Sequence, residues 1–524
     1  MTTFHALAYG RWIVDDAGIT FAYARAVTSG FGPVLQPGAE PVEGYSNPAW
    51  LLVLAAGRAV GLFDRGAWFG VPDYVLFPKG VALLCCAGVF LAAYRAAAAV
   101  CRRPALVAAV AGVAVALTPS FVIWCFSGLE NSLLALAVAW LATVLVRAAT
   151  TGRLLCPRVA VACGLLAALA ALTRPEGLVY VVAHPLVAAV FLRRETLPRT
   201  TTSVALSVSA FAVPVVGYLA WRWATFHAML PNTAMAKAQT APSVARVHRG
   251  IELIGYAGWP LVLICAGCVG AVLTRPSPAR RALVVLAVPL GLAAFAYIVL
   301  VRDWMGALRF ATPVWPLAAL TAAIAVEAMA HRTAVRGRAV LAVCTVTACA
   351  ITALTWQKDI ARASRGPTVP LCVVADQSRA YNEYARILGG RDASVLLPDI
   401  GGTALTSRLR VVDVAGLADR RVAEYWSDRD MAGLRDHVFG RLRPTIIHVH
   451  GGWATRTGLL ADSRMDADYV VVHRYSSTGV DLVRRDAVDR PRTLTELRAA
   501  AHRSATRQAE LGAAPRRSCG STLR

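Results

Sequence analysis

Charge is scarce in this chain, and negative charge scarcest. Only 16% of its 524 residues are Asp, Glu, Lys or Arg, and the basic residues outnumber the acidic ones by 54 to 31. A soluble protein of this length carries roughly 25% charged residues, so an ordinary globular enzyme does not fit. Mean hydropathy is +0.53 and 57% of residues are hydrophobic, as in a polytopic membrane protein. The net charge of +23 invites a nucleic-acid reading. That reading fails, because the arginines crowd into short gaps between apolar runs, where orientation in the membrane accounts for them. About ten more arginines lie between Arg484 and Arg524. That stretch lacks apolar periodicity, and residues 491–524 are expected as a disordered tail, solvated or facing lipid headgroups.

Cysteine offers no chemistry by its spacing. Nine of the twelve cysteines (85, 86, 101, 125, 163, 265, 268, 344 and 349) fall in apolar runs or at their ends, where Cys behaves as a small apolar side chain. The CxxC of Cys265 and Cys268 lies mid-run, so neither a disulfide framework nor a zinc pattern is expected. An internal repeat is also missing, which weighs against a transporter or lipid flippase, since those folds carry repeats with broken helices and midplane charges.

What the chain has in abundance is apolar runs of spanning length, at about 75–96, 104–124, 131–148, 158–173, 177–193, 202–223, 252–274, 281–301, 312–330 and 338–356. Each is near the length that crosses a hydrocarbon core of ~30 Å. Connectors alternate in composition. Five hold three arginines each: 95, 102 and 103; 147, 153 and 158; 193, 194 and 199; 275, 280 and 281; 332, 336 and 338. The intervening connectors are poor in Arg and hold unusual polar motifs. The positive-inside rule then places the triplets in the cytoplasm and the motifs outside. Residues 47–63, short and containing Arg58, are expected as a helix in the outer interface; read as a span, they would break the alternation. After Trp356 short β-branched runs (SVLLPDI, RVVDVAGL, PTIIHVH, DYVVVHRY) alternate with polar helical stretches. Residues 365–490 are therefore expected as an outer α/β domain.

The polar motifs share one face. Asp15 and Asp16 lie in the first loop, residues 1–46, with Glu43 and Tyr45. Adjacent carboxylates near lipid are costly and mark a site that uses a cation, a phosphate or a proton. Glu130 is in FSGLEN, Arg174 and Glu176 flank a proline in LTRPEG, Asn232 and Lys237 are in LPNTAMAK, and Asp303 and Arg309 are in DWMGALRF. Guanidinium and ammonium groups suit a phosphate; carboxylates suit a sugar hydroxyl or a proton. Each motif alone has a plain alternative, a snorkelling Arg or a self-paired turn. His448 and His450 alternate on a strand, where a solvated face is expected over metal ligation.

In order and spacing, DDAGITFAYAR, GFGPVLQPGAEPVEGYSNPAW, SGLEN, TRPEG, LPNTAMAK and DWMGALRF resemble the polyprenyl-phosphate-sugar-dependent glycosyltransferases of the GT-C fold. The closest resemblance is to actinobacterial terminal β-(1→2) arabinofuranosyltransferases of the cell wall. It spans most of residues 10–315 and extends to a D-x-G at Asp399 and a VxDxxGLxD element around Asp413 and Asp419. The resemblance implies an all-α membrane module of about ten spans (75–356) with a C-terminal extracytoplasmic α/β domain. It further implies inverting transfer of arabinofuranose from a decaprenyl-phosphate donor to a cell-wall glycan on the outer face of the plasma membrane. Carried over, Asp15 or Asp16 is the base. Arg174, Lys237 and Arg309 clamp the donor phosphate, and Glu43, Tyr45, Glu130, Glu176, Asn232 and Asp303 meet sugar or acceptor. A divalent cation is a candidate cofactor that no residue pattern fixes; a silent glycan-binding relative is the remaining alternative. Two departures stand out. Val301 and Arg302 replace a family Gly-Gly, and MTTFHALAYGRWIV is too short and too weakly apolar for the spanning helix that precedes the Asp pair in relatives.

Overall fold

The computed structural model describes residues 1–237, 246–364, 368–390, 392–514 and 518–523. Among them, six helices are long and apolar enough to cross a membrane: Asp73–Ala97, Asn131–Thr150, Arg194–Phe226, Pro278–Val299, Val314–Arg332 and Val335–Ala361. Two further runs are bent pairs. Pro104–Leu117 and Pro119–Cys125 meet at 76°, and His248–Ala257 and Trp259–Leu273 at 93°. The causes are local. Thr118 is extended ahead of Pro119, as the residue before proline prefers; Gly258 has a φ of +89°, which side chains resist. The runs expected at 158–173 and 177–193 give a 17-residue helix, Pro157–Thr173, and a 3₁₀ turn, Pro175–Val182, leading into Ala183–Val190. By length and composition the described residues thus give six candidate spans, or up to eight if each bent pair counts once, beside the ten expected from the sequence. The multi-pass membrane class holds.

The chain divides into two compact units. The first comprises Met1–Tyr9, Lys79–Trp221 and Thr240–Ser364; the second Gly10–Pro78, Arg222–Gln239 and Arg365–Arg524. The first is helical throughout its described part. Asn131–Thr150 is its inner helix, largely buried by Pro157–Thr173 and Pro278–Val299.

The second unit holds the α/β structure read from the β-branched runs. Strands β1 (Ser394–Leu397), β2 (Arg410–Asp413), β3 (Ile446–Val449), β4 (Tyr469–Arg474) and β5 (Val480–Arg484) form one sheet in the order β2-β1-β3-β5-β4. The pairs β2-β1 and β1-β3 are parallel, whereas β3-β5 and β5-β4 are antiparallel. Alternate residues of the strands enter two separate apolar cores, as a period of two requires. Helix α1 (Asp15–Thr28) is almost wholly buried and packs on helix α3 (Ile400–Thr406). Helix α2 (Leu371–Ile387) packs on both α3 and helix α4 (Pro491–Ala513). The α4 segment corrects the expectation of a disordered tail: Leu497, Ala500, Ala501 and Ser504 form a buried stripe at helical spacing, which the surrounding arginines mask in a composition count. Helix Pro48–Ala59 has 12 residues, about 18 Å, too short to span. Its Arg58 is buried on Asp64 at 3.2 Å, and Asp64 also holds Arg25 at 2.6 Å.

Candidate functional site

The second unit places the Asp pair at the first turn of α1, and the two members differ. Asp15 is 4% exposed, and its carboxylate accepts hydrogen bonds from the backbone N–H of Gly401 at 3.1 Å and of Gly402 at 2.7 Å. A Cβ on Gly401 would lie 1.9 Å from the Asp15 carbonyl oxygen, so only glycine lets the two backbones meet. Burial, then the charges of Asp399 and Asp16, hold the Asp15 carboxyl well above the usual carboxylate range, against the pull of the two amides. Asp16 is half-buried.

Asp399 caps the approach to α3 and accepts a hydrogen bond from His450 Nε2 at 2.7 Å. Burial works to lower the His450 pKa, and Asp399 outweighs it, leaving the imidazole above its ordinary value. His448 corrects the expectation of a solvated face: it is 4% exposed, with Nδ1 2.7 Å from Asp481. Asp481 also accepts from the hydroxyls of Tyr384 and Tyr475. His450 follows β3 instead of lying within it. Among the described residues, no group of three His, Cys, Asp or Glu side chains is placed to hold a metal ion.

The other candidates of the second unit lie apart from this turn, and most are engaged within the fold. Glu43 and Arg222 form a buried ion pair at 2.6 Å. Asn232 donates to the carbonyls of Gly416, Leu417 and Asp419. Asp413 accepts from the N–H groups of Ala415 and Ala418, and burial raises its carboxyl to about 7. Asp419 caps the helix Arg420–Asp428 through the N–H of Val422. The ring of Tyr45 is buried edge-on against Tyr23. Lys237 is exposed at the end of Asn232–Ala236.

In the first unit, three motifs separated by up to 179 residues close on one carboxylate. Glu130 Oε1 accepts from Arg174 Nη1 at 2.5 Å and from Arg309 Nη2 at 3.3 Å. Arg174 Nε also bonds Glu176, and Arg309 Nη1 bonds Asp303 at 3.2 Å. Burial alone would lower the Arg174 pKa, but Glu176 and Glu130 hold it above its ordinary value. The Arg174 guanidinium stacks on Phe310, 4.7 Å from its centroid. Arg309 Nε is buried without a hydrogen-bond acceptor among the described residues. The geometry is set by two tight turns. A Cβ on Gly177 would lie 2.1 Å from the Ala170 carbonyl oxygen, which lets the proline turn fold Glu176 back beside Arg174. Gly306, Ala307 and Leu308 all have positive φ, a run that is strained for the two non-glycines. Trp124 Nε1 holds the Ala307 carbonyl at 2.9 Å, and Asn131 holds that of Arg309 at 3.2 Å.

Comparison with solved structures gives the architecture a precedent. ArnT from Cupriavidus metallidurans bound to undecaprenyl phosphate superposes with a TM-score of 0.55 at 15% identity, over 93% of this chain and 96% of that one. Its apo state gives 0.56 at 15% identity, over 92% and 95%. The apo oligosaccharyltransferase of Archaeoglobus fulgidus gives 0.51 at 11% identity, over 91% and 73%. The chain has the GT-C fold. No protein-family model matches the chain, and no curated protein does.

Sequence reasoning singled out the Asp pair and Glu130, Arg174, Glu176, Asp303 and Arg309, and the structure brings the last five together. That reasoning missed the Asp399–His450 pair, the Arg222 partner of Glu43, and a disulfide between Cys372 and Cys519. The last corrects the expectation of no disulfide, and it had a signal. Only Cys156, Cys372 and Cys519 lie outside apolar runs, and two of these three pair.

Proposed function

We propose that this protein is a membrane glycosyltransferase that moves a sugar, arabinofuranose, from a polyprenyl-phosphate donor to a cell-wall glycan at the outer face of the membrane. The observation that carries this reading is the buried Asp15 carboxylate beside half-buried Asp16. Asp15 accepts from two backbone amides and serves to fix the turn, and Asp16 is taken as the base. In an inverting displacement Asp16 takes the acceptor hydroxyl proton as that oxygen bonds the anomeric carbon. The bond from that carbon to the phosphate oxygen breaks on the opposite side, and the lipid phosphate leaves with the electron pair.

In the first unit, Arg174 and Arg309 are the groups suited to a lipid phosphate; Lys237 of the second unit is assigned to the phosphate by the resemblance alone. Each guanidinium carries five N–H donors, and the buried Arg309 Nε lacks an acceptor among the described residues. An unmet buried donor costs about 1–3 kcal/mol, which a phosphate oxygen would recover. Glu130, Glu176 and Asp303 hold the two guanidiniums in place beforehand and meet sugar hydroxyls. The ArnT structure bound to undecaprenyl phosphate supports a lipid-phosphate donor by analogy of fold. The ordered motifs support arabinofuranose. The Arg-rich connectors support an outer active site.

The experiment is transfer of radiolabel in membranes containing this chain, with decaprenyl-phosphate arabinose and decaprenyl-phosphate mannose offered separately beside an arabinan acceptor. Label from the pentose donor is expected in the polymer. Label from the hexose donor alone would replace the sugar assignment, and label from neither would remove the transferase reading.

A further inference from the structure

We propose that the Cys372–Cys519 disulfide is a positioning clasp for the Asp15–Asp16 turn, so that full transferase activity requires its oxidised form. This rests on the reading of the Asp pair given above. The two cysteines are 147 residues apart in sequence with Cα atoms 5.5 Å apart. Cys372 sits in the first turn of α2, and that turn is the scaffold of the Asp pair. Asp15 N–H donates to the Val369 carbonyl at 3.0 Å, and Leu371 N–H donates to the Ile13 carbonyl at 2.9 Å. Val14 and Pro370 form a bridge between these two strands of backbone. The same turn meets the other side of the site. A Cβ on Gly402 would lie 2.7 Å from the Leu371 carbonyl oxygen, and one on Gly18 would lie 2.3 Å from Leu371 Cδ1. The residues next to Cys372 therefore touch α1, which carries the Asp pair, and α3, whose amides hold Asp15.

The partner half of the clasp is anchored independently. Cys519 is 2% exposed and Leu523 4%. Arg379, two turns along α2, donates to the Thr522 carbonyl at 2.6 Å, and Arg25 at the far end of α1 donates to the Leu523 carbonyl at 3.5 Å. Residues 518–523 thus lie against both helices, and the disulfide fixes the one point where that segment is covalently joined to the site's scaffold. Disulfides persist in oxidising compartments and are reduced in the cytosol, so the clasp closes only on the outer side that the transferase reading requires. Reduction by a dithiol adds two electrons and two protons, breaks the Sγ–Sγ bond to leave two thiols, and closes the reductant's own disulfide.

The test uses the full chain in detergent, oxidised, reduced with dithiothreitol, and reoxidised, with the state of Cys372 and Cys519 mapped by alkylation and mass spectrometry. Reduction is expected to lower kcat by about tenfold or more, the scale that small misplacements of a reacting group produce, while donor KM changes by less than roughly twofold. Amide exchange is expected to quicken at Asp15, Leu371, Gly401 and Gly402 and to stay slow at 446–449 in β3. Reoxidation restores both, Cys519→Ser reproduces the reduced state, and Cys156→Ser keeps the full response. Unchanged kcat and exchange in protein mapped as the dithiol would overturn the proposal, as would loss of protection spread evenly over the sheet. If the oxidised protein transfers no sugar, the transferase reading falls, and the exchange pattern still decides whether the clasp holds the turn.

Discussion

Asp15 and Asp16 are neighbours in sequence with opposite fates. Helix geometry turns consecutive side chains by about 100°, so the two carboxylates point differently, and that of Asp15 enters the glycine-lined contact with α3. The cost of burying Asp15 is opposed by two amide donors, while burial and the charges of Asp399 and Asp16 hold its carboxyl above the usual range. Gly401→Ala is expected to force Asp15 out of this contact, because its Cβ would fall 1.9 Å from a backbone oxygen. A loss of about 1–3 kcal/mol, typical of overpacking, should appear as a lower melting temperature together with reduced transfer. A melting temperature equal to wild type would mean that the contact is looser than described. The pair itself was legible from sequence, since adjacent carboxylates near lipid are conspicuous. That Asp15 is the member held by α3 was not, because its partners lie 386 and 387 residues away.

At the scale of elements, the apolar runs told where helices would form but not where they would bend or fall short. Hydropathy counts residues, whereas Thr118 before Pro119 and the left-handed Gly258 act through backbone angles. The motif cluster shows the converse. SGLEN, TRPEG and DWMGALRF could be placed on one side of the membrane by counting arginines, yet no spacing rule foretold that Glu130 would bridge Arg174 and Arg309. Glu130→Gln is expected to cost roughly 3–5 kcal/mol, as breaking a buried pair does, since it leaves two buried guanidiniums with less compensation. Thermal unfolding of the purified variant measures this. Glu43→Gln should behave alike through Arg222, with a comparable fall in melting temperature.

For the whole molecule, the raised carboxyls of the second unit point one way, against a lowered His437. An Asp413 carboxyl raised to about 7 keeps its proton in the folded state while the unfolded chain, near 3.8, has already lost it. Stability therefore falls as pH rises from about 4 to about 7 and levels off above, by up to roughly 4 kcal/mol. Raised Asp15 acts in the same direction. Stability from the His450–Asp399 pair is fully present below about 6.5 and is lost as pH rises through the raised folded value. Melting of the second unit is thus expected to be higher at pH 5 than at pH 7.5; a rise toward neutral pH would contradict these environments.

The claim on which the rest depends is that Asp16 is the base of a lipid-linked sugar transfer and Asp15 its support. The most direct measurement is transfer from decaprenyl-phosphate [14C]arabinose to an arabinan acceptor by wild type, Asp16→Asn and Asp15→Asn, each checked for folding by melting temperature. Asp16→Asn is expected to keep its fold and lose activity by about 10²–10⁴-fold, while Asp15→Asn loses stability along with activity. Wild-type transfer by a folded Asp16→Asn enzyme would contradict the account.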